Sequence, residues 1–195
     1  MRSMNITQSV HDRVFEGYGI ELRPVMPPDL PSLRRWRNSP QINEQMVDTS
    51  YITPHQQRLW YERIREREDQ ACWVVWCKGV RTGYVNIRGK GPLESQTQIS
   101  GGFYVGDSQV RHGLLGYAIA LMYHEIIFEY FSVSEIRDSV LKSNHRARRL
   151  NQQMGYREQR ENGSFVNVVL DYSDYKIARK KFAKYFSDAH CELIG

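Results

Sequence analysis

Between Thr97 and Phe131 the chain passes from a strand-like run to a long apolar helical run through one glycine-punctuated loop, and this handover constrains the whole fold. Thr97 to Val105 reads as a strand, yet it carries adjacent glycines, Gly101 and Gly102. A strand interior holds such a pair at a bulge, or where another chain or a ligand comes close. Gly106 to Gly113 form the loop, and Leu114 to Phe131 has helical length with an apolar stripe that includes Leu121, Ile127 and Phe128. Such a junction turns several backbone N–H groups and the positive end of a helix toward one point, which suits a phosphate without a dedicated lysine. The loop is neither G-x-G-x-x-G nor a Walker loop, since no Gly-Lys-Ser/Thr follows.

The flanking segments supply the rest of a sheet. Gly19 to Pro24 alternates as a strand. Pro27-Pro28-Asp29 opens a helix through Trp36 that Asn38-Ser39-Pro40 closes, and Thr53-Pro54 caps a second helix carrying Leu59, Trp60 and Ile64. Ala71 to Cys77 is a nearly unbroken apolar run and Gly83 to Arg88 alternates, with a break at Lys78-Gly79. Beyond the long helix, Glu135 to Leu141 reads as a strand. Ser143 or Asn144 caps a helix ending at Met154 with Gly155 after it, and Asn162-Gly163 marks a hairpin between Tyr156 to Gln159 and Phe165 to Leu170. A basic amphipathic helix from about Ser173 to Phe186 closes the chain. The order implies an α/β (α+β) fold around one mixed sheet, with its chemistry at the handover.

The chain has 195 residues, enough for one domain, and its 12 Tyr, 7 Phe and 4 Trp supply core volume that a disordered chain lacks. No run is long and apolar enough to span a membrane and no signal segment leads the chain, so the expected location is cytoplasmic. Cys72, Cys77 and Cys191 form no C-x-x-C pair, and no His/Asp/Glu cluster has metal-ligand spacing; inert thiols and no metal are expected. The net charge of +5 gathers at Arg34, Arg35 and Arg37, at Arg146, Arg148 and Arg149, and along Lys176, Arg179, Lys180, Lys181 and Lys184. Each group is interleaved with apolar residues as a solvated helix face is, which argues against nucleic acid and leaves anionic small molecules ahead of it.

A second element identifies the handover. Asn144 to Tyr156 reads N-x-x-A-x-x-L-x-x-x-x-G-Y, and together with Arg111-x-x-Leu114-x-Gly116 it resembles the GNAT superfamily of acyl-CoA-dependent N-acetyltransferases over about residues 19 to 172. The resemblance implies a bulged strand Thr97 to Val105 that splays from Glu135 to Leu141 around a V-shaped cleft for acetyl-CoA. Pantetheine would pair with backbone near Phe103, Tyr104 and Val105, and the pyrophosphate would rest on Arg111, His112, Gly113, Leu114, Leu115, Gly116 and Tyr117. Asn144, Ala147 and Leu150 would approach the arm from the other side. The segment Trp36-Arg37-Asn38-Ser39-Pro40-Gln41-Ile42-Asn43 is similar to amino-sugar-nucleotide N-acetyltransferases of pseudaminic-acid type, and less closely to ribosomal-protein N-terminal acetyltransferases. This implies an amine-bearing acceptor, in that reading UDP-linked, held by Arg37, Asn38, Met46, Tyr51 and His55.

The expected reaction is attack of a neutral amine on the acetyl thioester in a ternary complex, with the oxyanion met by a backbone N–H of Tyr104 or Val105. Three positions depart from the family pattern: Leu114 replaces the middle glycine of the loop, Asn151 stands where many relatives have an acidic tyrosine, and Ser100 stands where a glutamate is common. Ser100 as proton relay, with Asn151 or Tyr156 at the sulfur, is the expected substitute, while His124 and His145 read as ordinary helix residues. An amine near pKa 7.7 to 8.0 needs only about 1 kcal/mol to become neutral at pH 7, so low-pKa amines are favoured. The competing readings are acetylation of a protein N-terminus or small amine, and a non-catalytic CoA-binding module. The expected layout is an extension over 1–18, an acetyltransferase domain over 19–172, and a basic helix and tail over 173–195. That helix packs back on the sheet or joins a homodimer partner.

Overall fold

A computed structural model describes residues 9–106, 114–186 and 191–194. Strands β1 (Phe15–Gly17) and β2 (Ile20–Pro24) lead into α1 (Leu30–Arg37), the short α2 (Pro40–Asn43) and α3 (Pro54–Arg65). Next come β3 (Gln70–Cys77), β4 (Val80–Arg88), β5 (Gln98–Val105), α4 (Leu115–Glu125), β6 (Glu135–Leu141) and α5 (His145–Met154). The hairpin β7 (Arg157–Asn162) and β8 (Phe165–Asp171), then α6 (Tyr172–Arg179) and β9 (Glu192–Leu193), complete the chain. The strands form one mixed sheet in the order β7-β8-β6-β5-β4-β3-β2-β1-β9.

Tight turns and a two-faced centre organise this sheet. Tyr18-Gly19 and Lys78-Gly79 are two-residue hairpin loops with both residues at positive φ, the type I′ geometry that matches strand twist. The apolar run of β3 is buried on both faces, which accounts for its lack of alternation. Trp73 and Val75 join a core with Phe15, Leu22, Ile119 and Ile127 beneath α4, while Cys72 and Val74 join Leu33, Trp36, Ile42 and Ile64 beneath α1 to α3.

The N-terminal flank differs from the expected layout, while the tail helix takes one of its two expected placements. Phe15 is fully buried and pairs with Leu22, so residues 1–18 are not wholly an extension; their last part is core. The tail helix packs back: Tyr175 is fully buried and its hydroxyl donates to the Leu121 carbonyl at 3.2 Å. Buried Glu125 of α4 accepts from Tyr18 Oη, pairs with Arg179 and takes the Cys191 N–H at 2.7 Å, tying the β1–β2 turn, α6 and the tail to one carboxylate. The long helix is α-helical only to Glu125 and continues as a π-helix over Ile126–Tyr130. The last hairpin turns on Gly163-Ser164, one residue later than expected, because Asn162 stays paired with Phe165. Cys72 is buried, whereas Cys77 and Cys191 are only partly so.

Candidate active site

The site is a gap in the sheet. β5 and β6 pair in parallel only at Gln98 with Glu135 and Ile99 with Ile136, and then part. On its other edge β5 keeps unbroken antiparallel register with β4 from Ser100 opposite Arg88 to Val105 opposite Gly83. The expected bulge at Gly101-Gly102 is therefore absent, and the glycines serve close approach. A Cβ on Gly101 would sit 2.2 Å from the Asn86 carbonyl oxygen and 3.0 Å from the Tyr123 hydroxyl, while one on Gly102 would meet nothing within 4 Å.

At the fork a side chain replaces the missing ladder. Gly101 donates its N–H to Asp138 Oδ2 at 3.0 Å, and Ser139 donates to Asp138 Oδ1 at 3.0 Å. Because successive residues of a strand turn their N–H and C=O to opposite edges, Phe103 shares the gap-facing edge with Gly101, and Tyr104 faces β4. The gap-side backbone donors are thus Phe103 and Val105, so of the two expected oxyanion contacts strand parity rules out Tyr104 N–H and keeps Val105 N–H on the gap-facing edge.

The resulting cleft holds about 330 Å³ between β5, β6, α4, α5 and the segment after α1. Its floor contains Tyr123, His124, Asp138 and Tyr156. Tyr156 and His124 are joined, Oη to Nε2, at 3.0 Å. Burial pushes His124 down to about 3 and raises the Tyr123 and Tyr156 phenols well above their ordinary range. Burial also raises the Asp138 carboxyl, opposed by its two backbone N–H bonds. At neutral pH this floor offers a neutral imidazole and two intact phenols beside a buried carboxyl group.

Of the residues anticipated from sequence, Phe103, Tyr104, Val105, Gly116, Asn144, Ala147, Leu150, Asn151, Tyr156 and Met46 line this cleft. Asn144 is the helix cap, its Oδ1 accepting from Ala147 N at 3.0 Å, and Gly155 ends the same helix. Ser100 is not brought together with Asn151 and Tyr156. It shares a face with Tyr104, which stacks on Tyr84 beneath the N-terminal helices, whereas Phe103 contacts Tyr123 on the opposite face. Leu114 is exposed at the start of α4, Leu115 packs on the core, and Tyr117 donates to Gln153 Oε1 at 2.6 Å. Arg111, His112 and Gly113 lie outside the described residues.

On the acceptor side, α1 ends against β5: a Cβ on Gly106 would lie 2.1 Å from the Trp36 ring. Arg37 donates through Nη2 to the Asp48 carbonyl, while its Nη1 is buried with no hydrogen-bond partner. Asn38 clamps the following loop, donating to the Ile52 carbonyl at 2.8 Å and accepting from Ile52 N at 2.9 Å. Tyr51 and His55 are exposed. Sequence reasoning missed Tyr123, Asp138, Gln41 and Gln45, and it read His124 as an ordinary helix residue. For Tyr123 a signal existed, since Gly116, Ala120 and Tyr123 are spaced to share one helix face.

The sequence of residues 20–157 matches the family model of the acetyltransferase (GNAT) domain, which spans more than two thirds of the chain. The chain belongs to the GNAT acetyltransferases. No protein of curated function matches this acetyltransferase by sequence. Among solved structures, the apo form of FdhC, described as a nucleotide-linked sugar GNAT, is similar with a TM-score of 0.75 at 17% identity, covering 88% of this chain and 97% of that one. Spermidine N-acetyltransferase from Vibrio cholerae, in complex with CoA and spermine, has a TM-score of 0.72 at 15% identity, covering 81% and 98%. The aminoglycoside enzyme AAC(6')-Ib, in complex with paromomycin and acetyl-CoA, has a TM-score of 0.68 at 19% identity, covering 81% and 96%. These likenesses establish the GNAT fold. Among the described residues no helix is long and apolar enough to cross a membrane, and no group of three or more His, Cys, Asp or Glu is arranged for a metal ion.

Proposed function

We propose that this acetyltransferase moves the acetyl group of acetyl-CoA to the amine of an amino-sugar nucleotide. The cleft suits the donor. A Cβ on Gly102 or Gly116 would meet nothing within 4 Å, leaving room for a pantetheine arm along β5, and Phe103 turns backbone groups toward it. Asn144, Ala147 and Leu150 bound the arm opposite, and the start of α4 receives the pyrophosphate. Acetyl-CoA brings the activated thioester; the chain's own part is to hold it, to orient the amine and to keep water from the buried floor.

The observation that carries the acceptor class is Arg37. A buried guanidinium nitrogen without a partner costs on the order of 1–3 kcal/mol, a cost that an acceptor diphosphate removes through a charge-assisted bond. Gln41, Gln45 and Met46 line the adjoining wall, and the Asn38 clamp on Ile52 holds the loop carrying Tyr51 near the same end of α1. The likeness to a nucleotide-linked sugar GNAT supports the same choice.

The test is thiol release from acetyl-CoA with a panel comprising a UDP-linked 4-amino sugar, the same sugar without nucleotide, spermidine, an aminoglycoside and an N-terminal peptide. The UDP-linked amine should give the highest kcat/KM, and Arg37→Ala should raise KM for it about 10- to 100-fold, the worth of one charge-assisted bond, while leaving KM for acetyl-CoA unchanged. Equal or better use of amines lacking a diphosphate overturns the assignment. CoA binding without turnover on any amine favours a binding module.

A further inference from the structure

β5 and β6 part although neither strand ends at the fork. β5 carries no bulge and keeps register with β4 as far as Val105 opposite Gly83, and β6 keeps register with β8 as far as Leu141 opposite Phe165. Pairing between the two nevertheless stops after Ile99 opposite Ile136, so its cause lies at the next step of the ladder. At the start of β6 the Thr97 carbonyl takes the Glu135 N–H, and a parallel ladder advances two residues per rung. Continued past Ile99, it would set Gly101 opposite Asp138, with Gly101 N–H donating to the Arg137 carbonyl and Ser139 N–H donating to the Gly101 carbonyl. Both donors are already taken. Gly101 N–H goes to Asp138 Oδ2 and Ser139 N–H to Asp138 Oδ1, each at 3.0 Å. One carboxyl group thus holds the two N–H groups that the next rung needs. It does so in the cleft wall, where burial disfavours its charge. An apolar side chain would avoid that cost and leave both donors free for the facing strand.

We propose that Asp138 is a positioning residue that stops the β5–β6 ladder and so holds the donor cleft open. The inference rests on acetyl-CoA binding in this gap and not on which amine accepts. A rung spans two residues at about 3.3 Å each, so one further rung would move the fork about 7 Å along β5. That step would seal the inner end of the cleft, where Gly101 and Asp138 form its wall, and would shorten the open β5 edge available to the donor. Asp138 acts here through the two backbone N–H groups it occupies and takes no part in bond making.

Asp138→Ala separates a ladder stop from a packing residue. A crystal structure of the ligand-free variant should show Gly101 N–H on the Arg137 carbonyl and Ser139 N–H on the Gly101 carbonyl. Its melting temperature should hold or rise, since a buried carboxyl group is exchanged for a rung. The Kd for CoA, by calorimetric titration, should rise about 10-fold or more, the worth of one or two lost hydrogen bonds. Strands that still part after Ile99 and Ile136 overturn the proposal, as does a Kd within about twofold of wild type. A lower melting temperature marks a packing residue and overturns it as well. Asp138→Asn is the second variant, keeping the side-chain volume but leaving one acceptor for two donors. It should weaken CoA binding about threefold or more, and binding equal to wild type overturns the role of the carboxyl group. A wild type that binds no CoA overturns the donor reading itself, whereas CoA binding equal in wild type and both variants removes only Asp138.

Discussion

Acid should weaken this protein through His124. The ring is 2% exposed, packed among Tyr123, Phe128, Tyr156 and Tyr175, and burial pushes it down to about 3 against an ordinary value of 6.5. A group whose folded pKa is depressed contributes stability that is present above its unfolded pKa and is lost as pH falls toward the folded one. Between pH 6.5 and 3 the unfolded chain holds a proton that the folded chain refuses. Each pH unit in that window therefore costs about 1.4 kcal/mol, or about 2 kcal/mol from 6.5 to 5.0, a large part of a typical 5–15 kcal/mol. Glu125 and Asp138 act with the opposite sign, because a raised carboxyl pKa contributes stability that is lost as pH rises through it. A difference between variants removes their contribution. Urea unfolding of wild type and His124→Gln at pH 7.5, 6.5, 5.8 and 5.0 should show wild type losing about 2 kcal/mol more than the variant between the last three points. Parallel curves would refute the reasoning, because they would mean that His124 takes up its proton over the same pH range folded and unfolded.

The paired glycines should respond differently to alanine. Gly101→Ala, with its Cβ 2.2 Å from the Asn86 carbonyl oxygen, should lower stability by about 1–3 kcal/mol or more in urea unfolding. Gly102→Ala should leave stability within about 0.5 kcal/mol and raise KM for acetyl-CoA, because its Cβ enters the open cleft. Arg179→Ala should cost about 2 kcal/mol by leaving the buried Glu125 carboxylate with fewer partners, less than a fully buried pair because the Arg179 side chain is 37% exposed. Calorimetric melting checks it.

What the sequence made legible were features with local causes. The apolar run of β3, the Thr53-Pro54 cap, the Asn144 cap with Gly155 at the far end, and Glu135 to Leu141 as a strand each rest on residues a few positions apart. Features made by distant partners stayed hidden. β1 is three residues long and is recognisable only through β2 and β9, and the Glu125 cluster draws Tyr18, Arg179 and Cys191 from three separate segments. Within the cleft the limit was parity. A one-residue step along β5 decides whether a side chain meets α4 or the N-terminal helices, which is why Ser100 lies away from Asn151. Asp138 and Tyr123 became visible only once β5 and β6 were seen to part at Ile99 and Ile136.

The most direct measurement is a crystal structure with acetyl-CoA bound. The pantetheine arm should run along β5 opposite Phe103, with the pyrophosphate at the start of α4 and Asn144, Ala147 and Leu150 on the other side of the arm. A donor bound outside the gap between β5 and β6 would contradict it.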